Sequence, residues 1–212
     1  MYDRSKELET VVEDARKDFE AKHAAREIGL ASCRQALRHS ANAVRVTHRG
    51  DFPGAEELLR QAAELLDRAR VALADHPDIF FAGFVHDAQK EYAEGCTTLA
   101  IIAGRPLPGP KELGVENGAY LNGLGETVGE LRRHLLDALR SGDVSECEVC
   151  LGNMDDIYSL LVTFDYPEAI TSGLRRTADA VRGILERTRG DLTLAVRQRD
   201  LERKLDEFES RL

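Results

Sequence analysis

The sequence predicts an all-α protein, and three observations support this prediction. The strong helix formers alanine, leucine, glutamate and arginine dominate the composition. Aromatic residues account for only 6% of the chain, and tryptophan is absent. Only six prolines interrupt the chain, and apolar residues recur at helical spacing between them. Because 212 residues are enough to bury one substantial core, we expect a single domain that spans residues 1–212.

Charge and hydropathy limit the classes of function. The formal net charge is −9, which argues against a globally basic nucleic-acid-binding protein but leaves room for a local basic patch. The sequence contains no recognisable signal peptide and no apolar run of about 18 residues. We therefore expect a cytoplasmic protein without a membrane partner.

The first predicted helix covers residues 3–48 and has an uneven distribution of charge. Residues 28–50 contain no aspartate or glutamate, and four of their arginines fall within a wedge of about 60° on a helix. A row of arginines suits a chain of phosphates, because each guanidinium holds two phosphate oxygens. The alternative is that these arginines pair with acids of a neighbouring helix or subunit. This arginine stripe consists of Arg34, Arg38, Arg45 and Arg49, with His48 beside it.

The second and third predicted helices follow a turn at residues 50–54. The second is amphipathic, and its leucines are predicted to be part of the core. His76-Pro77-Asp78 ends the second helix and begins the third, which we expect to continue to Gly104. Residues 105–114 then contain three prolines and two glycines, which makes them the best candidate for a mobile loop.

Two glutamates lie within the mostly apolar third helix. Glu91 and Glu94 are three residues apart and therefore point to one side of the helix. The apolar stripe of the helix places Glu91 on the face that should be buried. A buried carboxylate must be paired, protonated or bound to a metal, so the pair either shares a cation, meets arginines of another helix or reaches water. The stripe consists of Phe84, Ala88, Glu91, Gly95 and Leu99.

The fourth predicted helix covers residues 118–139 and contains three interior glycines. Each costs about 0.5–1 kcal/mol relative to alanine, so Gly123, Gly125 and Gly129 indicate close approach by a neighbour or a ligand. Glu126 and Glu130 share a face between these glycines. The leucine stripe of the helix points elsewhere, and periodicity alone would therefore send both acids to solvent. Their partners would then be Arg133 and His134.

Three further helices complete a predicted total of seven. They cover residues 141–164, residues 167–189 and residues 192–212, with breaks expected at Pro167 and at Gly190-Asp191. The last helix has an apolar stripe that packs either on another subunit or on its own domain. That stripe consists of Leu194, Leu201, Leu205, Phe208 and Leu212.

The four cysteines are few and irregularly spaced, which argues against a disulfide framework. Cys147 and Cys150 form a lone CxxC pair, and no second pair of cysteines or histidines lies at the spacing of a structural zinc site. We therefore expect free thiols and no zinc.

The motifs of the third and fourth helices, in their order and spacing, resemble the translin family. The resemblance is to its catalytic subunit type, translin-associated factor X (TRAX), and to its prokaryotic and archaeal branch. It extends over nearly the whole chain. The matching motifs are Glu91-Tyr92-Ala93-Glu94, Tyr120-Leu121-Asn122-Gly123, Gly129-Glu130-Leu131-Arg132, Ser141-Gly142-Asp143 and Phe164-Asp165-Tyr166-Pro167.

This resemblance implies an endoribonuclease that depends on Mg²⁺, with Mn²⁺ as an alternative, and that acts on single-stranded RNA, or on DNA as an alternative substrate. It implies a translin-like helical bundle that assembles into a hollow homo-oligomer, an octamer, with the arginine stripe holding the RNA backbone. The family's catalytic subunit typically has aspartate where this chain has Glu126. The metal-binding and catalytic residues carried over by position are Glu91, Glu94, Glu126 and Glu130.

Two other functions fit the same pattern. The chain is alternatively a non-catalytic oligomer that binds single-stranded nucleic acid, with the glutamates in a structural role. A helical scaffold without nucleic acid is favoured only if ion pairs consume the arginine stripe.

Overall fold

The computed structural model describes residues 4–210, and every regular element within this range is an α-helix. The predicted all-α fold class is therefore confirmed. The predicted helix ends at residues 3 and 212, and with them Leu212, lie outside the described range. The helices are α1 Arg4–Thr47, α2 Phe52–Ala72, α3 Pro77–Phe80, α4 Phe84–Ile102, α5 Pro110–Leu113, α6 Asn117–Ser141, α7 Val144–Leu161, α8 Glu168–Thr171 and α9 Leu174–Glu209.

Helices α4 and α6 form the centre of the bundle. They pack on each other, α1 and α2 cover α4, and α7 and α9 cover α6. The largest group of buried side chains lies along these contacts and supplies most of the hydrophobic stabilisation. Among its members are Leu59, Tyr92, Leu99, Leu131 and Leu185.

The structure divides the predicted third helix into α3 and α4. The break lies at Gly83, whose φ of 101° is readily accessible only to glycine. The predicted loop at residues 105–114 contains the single turn α5 and is fastened at two points. Arg105 pairs with Glu56, and the Tyr120 hydroxyl donates a hydrogen bond to the Pro108 carbonyl oxygen at 2.9 Å.

The predicted boundary at Gly190-Asp191 is wrong, because α9 continues through it to Glu209. A glycine inside a helix costs only about 1 kcal/mol, and buried contacts on both sides offset that cost. Leu185 and Leu192 are both buried on the same helix. Helix α9 begins at Leu174, directly after Gly173, which caps it and has a φ of 90°.

At both ends of the described range, exposed helix extends beyond the bundle. Residues 4–21 of α1 and residues 197–209 of α9 are exposed throughout, including Phe19 and Phe208. The described part of the terminal apolar stripe therefore does not pack on its own domain. Within residues 4–210, no helix has both the length and the apolar character needed to cross a membrane.

Candidate functional site

Three of the four predicted acids meet between α4 and α6. Glu91 and Glu94 lie on α4 and Glu126 lies on α6, and one carboxylate oxygen from each lies within 4.8 Å of the others. We call these three residues the acid cluster. Glu126 has one methylene more than the aspartate that the resemblance implies at this position, and its carboxylate nevertheless lies in the cluster.

Close packing of the two helices brings these acids together. At Gly123, α6 touches the backbone of α4, and a methyl group there would overlap the Lys90 carbonyl oxygen. One turn further along, the Thr97 and Thr127 hydroxyl oxygens are 2.6 Å apart and buried. The contact at Gly123 therefore confirms the predicted close approach by a neighbour. At Gly129, by contrast, no other helix within residues 4–210 comes within 4 Å of an added methyl group.

This difference predicts opposite effects on stability. Gly123→Ala is expected to lower the free energy of unfolding by about 1–3 kcal/mol, because α4 and α6 must separate. Gly129→Ala, in open space on the same helix, is expected to raise it by up to about 1 kcal/mol through helix propensity. Urea unfolding followed by circular dichroism measures both changes. Equal effects of the two substitutions would contradict this account of the packing.

The acid cluster is electrostatically strained. Burial first, and then the charges of Glu91, Glu126 and Glu130, raise the pKa of Glu94 to about 8. Burial and the Glu126 charge also raise the pKa of Glu91. A bound cation would relieve this repulsion. Because Mg²⁺ prefers oxygen ligands and needs only a few carboxylates beside its waters, the donor set fits this ion.

Lys90 is the cation that the structure places at the cluster. Its ammonium nitrogen lies 2.6 Å from a carboxylate oxygen of Glu126. Burial alone would lower the pKa of Lys90, but the bond to Glu126 and the nearby acids outweigh it and raise the pKa. Lys90 was not among the predicted residues, because the two partners lie on different helices and no local spacing relates them.

Glu130, the fourth predicted acid, lies beside the cluster and binds His48. The His48 Nε2 atom is 2.6 Å from a Glu130 carboxylate oxygen, and the His48 side chain is only 4% exposed. This hydrogen bond lowers the pKa of Glu130, with a smaller contribution from Arg133. Glu130 is therefore held as an anion, and its partner is a histidine at the end of the first helix rather than His134.

The surroundings of the acids test the alternative that these acids pair with arginines of another helix. Within residues 4–210, neither Glu91 nor Glu94 forms an ion pair with an arginine. Arg133 does approach Glu130, with a nitrogen–oxygen distance of 3.8 Å. Pairing with arginines of the same chain thus accounts for Glu130 in part, but not for the acid cluster.

The arginine stripe is exposed. Arg34, Arg38 and Arg45 lie on the C-terminal half of α1, whereas Arg49 lies in the turn that directly follows the helix. In the described part of the chain, none of its four guanidinium groups forms an ion pair, and Arg45 only approaches the Asn42 amide oxygen at 3.4 Å. Pairing with acids of the same chain is therefore excluded for the described residues. Arg49, the last arginine of the stripe, follows directly after His48, which contacts Glu130, so this end of the stripe lies near the acids.

The raised pKa of Glu94 predicts a pH-dependent stability without metal. Between the ordinary value of 4.5 and about 8, the native state binds more protons than the unfolded state, so stability falls as pH rises through this window. We expect a loss of roughly 1–3 kcal/mol, and Mg²⁺ should restore much of it above neutral pH. Urea unfolding at several pH values, with and without Mg²⁺, measures the effect.

A matched pair of variants isolates Glu94. Glu94→Gln should flatten the fall in stability, whereas Asp137→Asn, an exposed position on α6, should leave it unchanged. Burial lowers the pKa of His86, which acts in the opposite direction below about pH 6.5, so the difference between the variants is the informative quantity. A Glu94→Gln profile as steep as that of the original chain would contradict the assignment.

Comparison with known proteins gives the following relatives. No protein-family model matches the sequence. An uncharacterized protein of Methanocaldococcus jannaschii is 31% identical over 186 residues, which are 87% of this chain and 82% of the relative. The crystal structure of AfC3PO is 36% identical, with a TM-score of 0.82 over 89% of this chain and 98% of that chain.

Two further solved structures complete the comparison. AfC3PO in a complex with duplex RNA shows the same identity and TM-score and is covered over 97% of its length. The apo form of NeC3PO is 18% identical, with a TM-score of 0.78 over 87% of this chain and 96% of that chain. At 18% identity, the likeness to NeC3PO shows a shared fold alone.

Proposed function

This chain belongs to the translin family, as does its relative AfC3PO, and from that premise we propose that it is a metal-dependent endoribonuclease. The observation that carries the proposal is the convergence of Glu91, Glu94 and Glu126 between α4 and α6. Three half-buried carboxylates that repel one another are costly to the fold, and a cation site is the function that best explains why they lie together.

The four glutamates have two different roles in this proposal. Glu91, Glu94 and Glu126 would hold Mg²⁺, or Mn²⁺ as an alternative. When bound, the ion would polarise a phosphoryl oxygen and lower the pKa of a bound water. Glu130 belongs to the catalytic set as an ionised carboxylate fixed by the His48 Nε2 atom, and its charge acts on Glu91 and Glu94. Without metal, Glu94 keeps its proton at neutral pH, since its pKa is about 8.

The arginine stripe would hold the substrate. Its four arginines are exposed and free of ion pairs in the described part of the chain, so their guanidinium groups are available for phosphate oxygens. Contacts of this kind position a nucleic acid without reading its sequence. The duplex RNA bound by AfC3PO makes RNA the proposed partner here, and single-stranded RNA is the substrate expected from the sequence.

Self-association is part of the proposal. The apolar side chains at the exposed ends of α1 and α9, among them Phe19 and Phe208, would be covered in a homo-oligomer. The octameric state, the TRAX type of subunit and the cytoplasmic location stay predictions.

The test is incubation of the purified chain with labelled single-stranded RNA and labelled duplex RNA, each with Mg²⁺, Mn²⁺ or EDTA. We expect shortened RNA with either metal and intact RNA with EDTA. Glu91→Ala should remove the cleavage and leave a gel shift. If the chain binds RNA but the RNA keeps its length under all conditions, the proposed nuclease activity is contradicted.

The second candidate function is a non-catalytic RNA-binding oligomer. The close Lys90–Glu126 ion pair favours it, because an ammonium group within the acid cluster can satisfy part of its charge without any metal. In that case, Mg²⁺ would change neither RNA length nor the stability of the chain above neutral pH.

A further inference from the structure

A second group of metal-ligating side chains lies between α6 and α7. His134 comes from α6, whereas Glu146 and Cys150 come from α7. The His134 Nε2 atom is 3.2 Å from a Glu146 carboxylate oxygen, and the same oxygen is 3.7 Å from the Cys150 sulfur. One donor atom from each side chain lies within 4.8 Å of the others. Nitrogen, oxygen and sulfur donors thus converge on one point.

The local structure explains this arrangement. Glu146 and Cys150 are four residues apart and share one face of α7. Asp143 caps the first turn of α7 by accepting a hydrogen bond from the Glu146 backbone N–H at 3.0 Å, which fixes the start of that face. The chain reverses at Gly142, which has a φ of 82°, and this reversal brings α7 back alongside α6.

The two cysteines of the CxxC pair have different surroundings. The Cys147 thiol is hydrogen-bonded to the Asp143 carbonyl oxygen at 3.0 Å and to that of Leu135 at 3.4 Å. The Cys150 side chain is 3% exposed, and its thiol has the Glu146 carboxylate as its polar partner among the described residues. The converging group therefore contains one cysteine of the pair, a histidine and a glutamate.

Two of the three donor–donor distances fit a tetrahedral ion, and the third, between nitrogen and sulfur, is within 4.8 Å. With the bond lengths typical of zinc, a tetrahedral site has a nitrogen–oxygen separation of about 3.4 Å and an oxygen–sulfur separation of about 3.6 Å. The corresponding distances here are 3.2 Å and 3.7 Å. Magnesium and calcium take oxygen ligands, whereas imidazole and thiolate together select zinc and similar transition metals.

We propose that His134, Glu146 and Cys150 form a zinc-class metal site with three protein ligands and water in the fourth position. The ion would replace the thiol proton of Cys150, which is released to solvent, so that the sulfur binds as thiolate. The 41% exposure of the Glu146 side chain leaves a route from solvent.

This site is separate from the acid cluster and does not depend on the proposed nuclease. The His134 ring lies 6.3 Å, between ring centroids, from the His48 ring that binds Glu130. The bound ion would join α6 to α7 and so stabilise the fold. The spacing of the cysteines argued against zinc because the histidine and the glutamate that complete this donor set are not part of a CxxC-type motif.

The test uses Co²⁺ as a spectroscopic substitute for Zn²⁺ on the full chain without an affinity tag. We expect one tetrahedral Co²⁺ per chain with a sulfur-to-cobalt charge-transfer band, displaced by Zn²⁺. Cys150→Ser should abolish the band, and Glu146→Gln, at a partly exposed position, should weaken Co²⁺ binding at least about tenfold. At a hundredfold excess over its dissociation constant, Zn²⁺ should raise the Tm by about 5–10 °C.

Matched variants separate this site from its neighbours. Cys147→Ser, the other cysteine of the pair, and Glu148→Gln, an exposed acid of the same helix, should keep the band. Glu94→Gln should also keep it, because carboxylates of the acid cluster give no sulfur band. Absence of the band in the original chain, its survival in Cys150→Ser, or its loss in Cys147→Ser would overturn the proposal.

Discussion

Glu126→Gln is expected to reduce metal-dependent RNA cleavage by about a hundredfold or more, while RNA binding survives. The substitution keeps the size of the side chain but removes one of three converging carboxylates. A bound metal is worth several kcal/mol of transition-state stabilisation, and a loss of about 2.7 kcal/mol already corresponds to a hundredfold change in rate. RNA binding should persist, because the arginine stripe lies on another helix.

The measurement is the initial rate of cleavage of labelled RNA at saturating Mg²⁺, with a gel shift on the same preparation. Asp137→Asn removes an exposed carboxylate from the same helix and should leave the rate unchanged. Glu126→Asp keeps a carboxylate at this position, on the side chain that the sequence resemblance implies here, and should retain activity. A Glu126→Gln enzyme as fast as the original chain would show that the acid cluster is structural.

Replacing Arg38 and Arg45 together with alanine is expected to weaken RNA binding about 10- to 100-fold. Each charge-assisted bond to a phosphate contributes about 1.5–3 kcal/mol at most, and exposed arginines give less than the full amount. The dependence of affinity on salt should also become less steep, because fewer counterions are released on binding. Cleavage at saturating RNA should change far less than affinity does.

Titration of labelled RNA at several salt concentrations measures both quantities. The matched control is Arg60→Ala with Arg70→Ala, which removes the same charge from α2. Arg60 pairs with Glu57 and Arg70 pairs with Asp67, so neither is free for phosphates. An equal loss of affinity in this control would mean that net charge, and not the arginine stripe, determines RNA binding.

The sequence by itself determined the fold class and the local geometry of each motif. Helix formers and few interruptions predict an all-α chain, and a spacing of three residues places Glu91 and Glu94 on one side of α4. These features follow from the period of 3.6 residues per turn, which can be read along the chain. One predicted helix end is wrong, because burial of Leu192 carries α9 through Gly190, which composition marks as a break.

Only the tertiary structure decided which helices meet. Periodicity alone predicts that Glu126 faces solvent. The family resemblance was what placed Glu126 with Glu91 and Glu94. The pairings of Lys90 with Glu126 and of His48 with Glu130 join residues 36 and 82 positions apart. Such contacts depend on how helices pack, through close approaches such as that at Gly123, and no local period in a sequence records them. The convergence of His134, Glu146 and Cys150 also depends on helix packing, so the sequence alone did not predict it.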